Sequence, residues 1–188
     1  MTRPSSNILG ERMVVFEQAA TYALETLGRV SMDALDRPTP CHEWRVRDVV
    51  LHLADVADAV IDLIHTGELA LPAPRASDTA DAVAVAQERI HALREVTAGA
   101  ASDVARTELL LDALRAAANE LAAHGWDIAT ALDMARPIPD ATATALLALA
   151  EGKLTDTNRG DKFAAVVPVS AAASPSDRLA AYLGRRTP

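Results

Sequence analysis

Three side chains on one stretch of the sequence, Glu120, His124 and Asp127, have the types and spacing that suit metal binding. At about 100° per residue on a helix they share an arc of roughly 60°, so they would project from the same side. Side chains at i and i+4 lie within reach of one ion, and carboxylate and imidazole groups are common ligands of divalent metals. The spacing therefore makes these residues candidates for a divalent-metal site.

A further ligand has to come from another helix, and His52 is the candidate. It lies about 40° from Val56, at the flank of an apolar stripe. A His-His-Glu set can hold catalytic zinc and leave one coordination position open, and nickel, manganese or iron also accept it. The residues alone leave an alternative open, because E-x-x-x-H spacings are common in helical proteins. A histidine that bonds to a carboxylate at the edge of the core is the simpler explanation of the pattern.

The remaining candidates give weaker signals. Cys41 follows a proline and has no base beside it in sequence, so we expect it to pack at a helix start rather than act as a nucleophile. Trp44 and Trp126 are expected to pack beside the ligand helices. The other histidines are expected at the surface or at helix ends: His42, His65 and His91.

The composition predicts that helices carry these side chains. The chain has 188 residues, of which 40 are Ala and 22 are Leu, while aromatic residues make up only 3%. Ala and Leu have high helix propensity, and this length suits one domain spanning residues 1–188. The sequence predicts an all-α protein, a four-helix bundle with a short helical C-terminal extension.

Apolar residues that recur at i, i+3 and i+4 predict long helices at about 10–29, 43–65, 79–97 and 104–134. A shorter helix is expected over Asp140–Leu149. A last helix is expected to begin after the cap residue Ser174 and to run to Leu183. Residues 164–169 are expected to be extended. Four acidic residues of the second helix are expected to form a solvated face: Asp48, Asp55, Asp58 and Asp62.

Charge and cysteine content limit the partners. The net charge of −8 works against binding to nucleic acid and to anionic membrane surfaces. Neither a transmembrane run nor a signal peptide is recognisable, and GxGxxG, GxxxxGK[ST] and GxSxG motifs are missing. The single cysteine excludes an intramolecular disulfide and fits a reducing compartment. We expect a cytoplasmic protein that acts on a small molecule.

Several stretches resemble the DinB-like metalloprotein superfamily, in the branch related to the N-terminal domain of mycothiol-dependent maleylpyruvate isomerase. These stretches are TPCHEW at 39–44, LHL at 51–53 and ELAAHGWD at 120–127. The tail, with VPV at 167–169, SPSDRL at 174–179 and LGR at 183–185, is similar as well. The resemblance covers nearly the whole chain, and the first and third stretches together are fairly specific.

The resemblance implies a DinB-like four-helix bundle that binds a divalent metal, with zinc as the expected ion and nickel, manganese or iron as alternatives. It implies that His52, Glu120 and His124 are the ligands, and that Asp127 orients His124 or a neighbour. Relatives of this kind also dimerise, so a homodimer is expected.

The resemblance further implies chemistry with mycothiol as a cosubstrate, in a thiol S-transferase or isomerase whose metal activates a thiolate or water. We expect this protein to lack the additional C-terminal domain that supplies part of the active site of the maleylpyruvate isomerase, and therefore to act on a different substrate. The alternatives are a metal-dependent hydrolase, lyase or cyclisation catalyst of specialised metabolism, and a non-catalytic metal-binding bundle.

Overall fold

The computed structural model describes residues 5–70, 73–75, 81–155, 157, 159–160 and 163–186. These residues form six α-helices, and the only β-pairing among them is an isolated bridge between Pro38 and Arg45. The helices are α1 (Ser5–Leu27), α2 (Val46–Thr66), α3 (Ala82–Ala100), α4 (Thr107–Ala131), α5 (Asp140–Glu151) and α6 (Pro175–Tyr182). The prediction of an all-α protein is confirmed. No helix in the described part of the chain is long and apolar enough to cross a membrane.

Local backbone chemistry explains why the helix boundaries differ from the predicted ones. The second helix begins three residues late because Glu43 has a positive φ of 67° and the Asp48 carboxylate accepts a hydrogen bond from Arg45 N. The third predicted start, at 79, lies outside the described residues, and Asp81 caps the observed helix by accepting from Ala84 N. The fourth helix follows a 3₁₀ turn at 104–106 and ends before Asp133, whose φ is 54°.

Helices α1 to α4 form a four-helix bundle in which α1 and α4 are parallel. Tyr22 of α1 lies against Gly125 of α4, and the side chains of Arg12 and Arg115 interact about ten residues earlier on both helices. Glu17 of α1 forms an ion pair with Arg94 of α3, and Gln87 of α3 lies near Gly28 at the end of α1, so α3 runs antiparallel to α1. Helix α2 runs antiparallel to α4, so the topology is up-down-down-up.

Part of the acidic side of α2 is an interface rather than a solvated face. Arg75 forms ion pairs with Asp55 and Asp58, and Arg89 of α3 also lies 3.7 Å from Asp58. The expectation of a solvated face is therefore wrong for Asp55 and Asp58. Through these ion pairs, the segment between α2 and α3 is held to α2 by Arg75, and α3 is held to α2 by Arg89.

Helix α4 is the central helix, because every residue from 121 to 129 is buried. It packs against α1 and α2 inside the bundle and against α5 outside it. The segment that we call the C-terminal arm, residues 163–186, includes α6 and packs on α5. Residues 164–169 form no strand, but Val167 N donates to Ala181 O of α6. The cap predicted at Ser174 is confirmed, since its Oγ accepts from Asp177 N.

Gly125 lets α1 and α4 approach closely. A Cβ atom at this position would lie 2.9 Å from Tyr22 Cε1 and 3.4 Å from Ala23 Cα. The Tyr22 ring cannot easily move away, because it is buried and its hydroxyl donates to Arg136 O.

Replacing Gly125 with Ala should therefore lower the free energy of unfolding by about 1–3 kcal/mol through overpacking. Gly10→Ala is the matched control, because Gly10 lies on α1 with nothing within 4 Å of a Cβ. The control should raise stability by about 0.5–1 kcal/mol through helix propensity. Urea denaturation measures both values, and equal effects of the two substitutions would contradict the close approach.

Candidate metal centre

The loop at 39–44 brings Trp44 to the start of α2. Thr39 closes the loop, because its backbone N–H and its hydroxyl both donate to Trp44 O, at 3.0 and 2.9 Å. Trp44 N in turn donates to Cys41 O. The TPCHEW stretch is therefore a tight turn that carries both Cys41 and Trp44 toward α4.

The structure brings His52, Glu120 and His124 together between α2 and α4. Glu120 Oε2 lies 3.4 Å from His52 Nε2 and 3.2 Å from His124 Nε2. One potential ligand atom from each residue lies within 4.8 Å of the other two. The side chains of His52 and Glu120 are about one third exposed, whereas His124 is buried. The cluster is therefore reachable from solvent on one side and enclosed on the other.

Asp127 lies behind this cluster rather than in it. Its Oδ2 is 3.0 Å from His124 Nδ1, and its side chain is fully buried. Arg185 from the C-terminal arm donates to the same carboxylate through Nη2 at 3.1 Å and through Nε at 3.4 Å. Asp127 thus directs Nε2 of His124 toward Glu120 by accepting at Nδ1, which is the arrangement expected of a group that orients a metal ligand.

The rings of this site pack on one another. Trp44 lies edge-on to His52 with ring centroids 4.8 Å apart, and it stacks on His124 at 5.7 Å. The two imidazoles meet nearly at right angles, at 4.9 Å. Trp44 therefore restricts the rotation of both histidines, which agrees with the expectation that it packs.

Opposite charges hold Glu120, His124 and Asp127 in their charged forms. Burial opposes the ionisation of Glu120, but hydrogen bonds and charges from His124 and His52 outweigh it and lower the pKa of this carboxyl. Burial likewise opposes protonation of His124, yet bonds to Asp127 and Glu120 raise its pKa to about 9. The pKa of Asp127 is lowered because His124 and Arg185 overcome the effect of burial.

Cys41 completes a second group of potential ligands with His124 and Asp127. Burial, followed by the charge of Asp127, raises the pKa of its thiol to about 11, so it is protonated at neutral pH. Arg185 Nη2 lies 3.9 Å from Cys41 Sγ and also bonds to Asp127. A cation at this second group would meet the guanidinium charge, which favours His52, Glu120 and His124 as the ligand set.

Arg185 is the member of the site that the sequence pattern did not indicate. It pairs with Asp127 across 58 residues, and no local period or spacing connects two such distant positions. The one available signal was the LGR stretch at 183–185, which belongs to the family resemblance but does not indicate a charge partner. The surface position predicted for His42, His65 and His91 is confirmed, as all three are exposed.

The chain matches the model of one protein family and two curated proteins. The family is described as the mycothiol maleylpyruvate isomerase N-terminal domain, and residues 16–129 match it. The two proteins are the uncharacterized protein Rv0738 of Mycobacterium tuberculosis strain ATCC 25618 / H37Rv and the uncharacterized protein MT0763 of strain CDC 1551 / Oshkosh. Each is 27% identical over 168 residues, which cover 85% of this chain and 89% of the relative. No solved structure shows significant similarity to the chain.

The raised pKa of His124 predicts how the stability of the metal-free protein changes with pH. His124 binds its proton more tightly in the folded state, with a pKa of about 9 against an ordinary value of 6.5. Its contribution is therefore complete below pH 6.5 and is lost as the pH rises through 9. The contribution of Asp127, whose pKa is lowered, is present above its ordinary value and is lost in acid.

Chemical denaturation of the chelator-treated protein should show the free energy of unfolding falling from pH 6.5 to 9. The slope should be smaller in His124→Gln and unchanged in His91→Gln, an exposed control. Identical slopes in all three proteins would contradict the assignment of a buried, charged His124.

Proposed function

We propose a divalent-metal-dependent reaction on a small molecule for this chain, which belongs to the family of the mycothiol maleylpyruvate isomerase N-terminal domain. The observation that carries the proposal is the convergence of His52, Glu120 and His124 on one partly exposed point. In this proposal these three side chains are the metal ligands, and Asp127 orients His124.

The separations of the Glu120 carboxylate from the two histidines fit a metal ion. Two ligand atoms bound to a tetrahedral zinc at about 2.0–2.1 Å lie about 3.3 Å apart. The separations from Glu120 Oε2 to His52 Nε2 and to His124 Nε2 are 3.4 and 3.2 Å. Two imidazoles and a carboxylate are also a donor set that zinc, nickel, manganese or iron accepts.

The charges around the site favour an anion at the remaining coordination position. The carboxylates of Glu120 and Asp127 neutralise a divalent ion, and Arg185 then leaves the loaded site with one net positive charge. A thiolate or a hydroxide would cancel that charge. Because Asp127 and Arg185 are buried, solvent screens their charges only weakly.

A divalent ion at this site would supply a Lewis acid that lowers the pKa of a bound thiol or water. The chain's own groups do the positioning: Trp44 packs on both imidazoles, and Asp127 holds the proton at His124 Nδ1 so that Nε2 remains available. Entry of an ion requires the proton at His124 Nε2 to leave, so binding should release protons.

Among metal-dependent reactions we favour addition of a low-molecular-weight thiol of the mycothiol type to an electrophilic small molecule. The family match supports a thiol cosubstrate, and the net positive charge at the open position supports a thiolate nucleophile. The protein's own thiol, Cys41, is not suited to this role because burial raises its pKa to about 11. The attacking thiol would then come from the cosubstrate, in a transferase or isomerase reaction.

Removing one ligand should abolish metal binding. Protein purified without a histidine tag should contain close to one equivalent of divalent metal, and His52→Ala should reduce this content at least tenfold. His91→Ala is the matched control, because His91 is an exposed histidine on α3. Elemental analysis of the three proteins measures the result, and equal substoichiometric metal in wild type and His52→Ala would show that the ligand assignment is wrong.

With a panel of electrophiles, the metal-loaded protein should either consume mycothiol, as a transferase, or convert the electrophile in a mycothiol-dependent reaction that returns the thiol, as an isomerase. His52→Ala should lose this activity by at least 100-fold. Thiol loss is followed with a colorimetric thiol reagent and conversion of the electrophile by chromatography, each against backgrounds without protein and without thiol. A metal-replete protein that is inert toward every thiol would contradict the thiol-dependent reaction. It would instead favour the hydrolase, lyase or cyclisation alternatives or a non-catalytic binding role.

A further inference from the structure

A row of buried charges extends from the candidate ligands into the C-terminal arm. His124 pairs with Asp127, and Asp127 pairs with Arg185 through both carboxylate oxygens. Arg185 has only 8% of its surface exposed, and the Asp127 side chain has none. Within the described residues, His124 and Arg185 are the charged groups that bond to Asp127. The family match ends at residue 129, so Arg185 lies outside the matched part of the chain.

The end of α6 places Arg185 in a defined position. Gly184 N donates to Ala181 O, and Arg185 N donates to Ala180 O, which is the hydrogen-bond pattern of a Schellman motif. Gly184 has a φ of 86°, a value that favours glycine. A Cβ at Gly184 would lie 2.8 Å from both Cβ and O of Ala164, so the arm also passes too close for a larger residue. The backbone thus fixes the point from which the guanidinium reaches Asp127.

We infer that Arg185 is a positioning residue for the candidate metal centre. It holds the Asp127 carboxylate against His124 Nδ1, so that His124 Nε2 stays directed at Glu120 and His52. This inference rests on the metal-binding function proposed above, and it makes the C-terminal arm part of the centre rather than a packing element alone.

The geometry of the guanidinium suits this role. Its Nε and Nη2 contact the two oxygens of Asp127, while Nη1 donates to Leu183 O at 3.0 Å. Two contacts to one carboxylate fix both its position and its rotation, which a single contact would leave free. Lysine has one ammonium group and cannot make the paired contact. Arg185→Lys should therefore keep the charge but lose the orientation.

Arg159, which precedes the C-terminal arm and bonds to two of its residues, offers a matched control. It is as buried as Arg185, at 7% exposed, and its Nη1 donates to Tyr182 O and Ala164 O. Its guanidinium also lies over the Tyr182 ring. It therefore secures the arm, whereas the contacts of Arg185 reach Asp127. A variant of Arg159 reports the effect of loosening the arm while Arg185 remains present to pair with Asp127.

The first experiment compares the metal affinities of the variants and measures their stability as a control. Zinc dissociation constants are measured by chelator competition for wild type, Arg185→Lys, Arg185→Met and Arg159→Lys, with thermal unfolding of each metal-free protein alongside. Loss of a group that orients a ligand typically weakens metal binding 10–100-fold. We expect losses in this range for both Arg185 variants and less than threefold for Arg159→Lys. Equal affinities in the Arg185 and Arg159 variants would overturn the inference.

The second experiment does not depend on metal. In metal-free wild type, the His124 Nδ1–H bonded to Asp127 should give a downfield proton resonance in the NMR spectrum, identified by its loss in His124→Gln. The resonance should be lost or shifted in both Arg185 variants and kept in Arg159→Lys. If the wild type binds no zinc but the resonance behaves in this way, the proposed function fails while the positioning role stands. An unchanged resonance in the Arg185 variants would overturn the positioning role.

Discussion

The fold depends on providing charged partners for one carboxylate, that of Asp127, in the interior of an apolar helical protein. An unpaired charge in such a place costs several kcal/mol, so the carboxylate needs partners that are themselves charged. His124 supplies one partner from the preceding turn of α4, and Arg185 supplies the other from the end of the chain. This requirement joins the bundle to the C-terminal arm. It also explains why the arm ends on a glycine-dependent turn rather than on a freely directed side chain.

The abundance of small residues makes this interior possible. Alanine side chains on α1 and α4, together with Gly125, let the two helices approach until a Cβ at Gly125 would contact the backbone of α1. Helix α4 is consequently enclosed along its second half, where His124 and Asp127 lie. A wider spacing between the helices would admit water and weaken the interactions that keep these two groups charged.

Much of the fold and all four candidate site residues on helices could be predicted, because they depend on local periodicity. Helical arcs placed Glu120, His124 and Asp127 on one side of α4, and the flank of an apolar stripe singled out His52. Periodicity carries no information on distant pairing, so it did not reveal the contact from Arg185 to Asp127. It also did not reveal the positive φ of Glu43, because of which α2 begins three residues later than predicted. The ion pair between Asp55 and Arg75 was missed as well. Each of these depends on the tertiary fold or on loop geometry.

Stability alone does not account for the row of charges from His52 to Arg185. Buried ion pairs are often no more stabilising than apolar side chains of the same volume, which this Ala- and Leu-rich core could readily supply. Charged groups add orientation instead, because each donates or accepts hydrogen bonds along a defined direction. The order of burial agrees with this explanation, since Asp127 and Arg185 are enclosed while His52 and Glu120 remain about one third exposed. The buried pair of Asp127 and Arg185 fixes the orientation of His124. The partly exposed side chains of His52 and Glu120 leave room for an ion and a small molecule to reach the cluster.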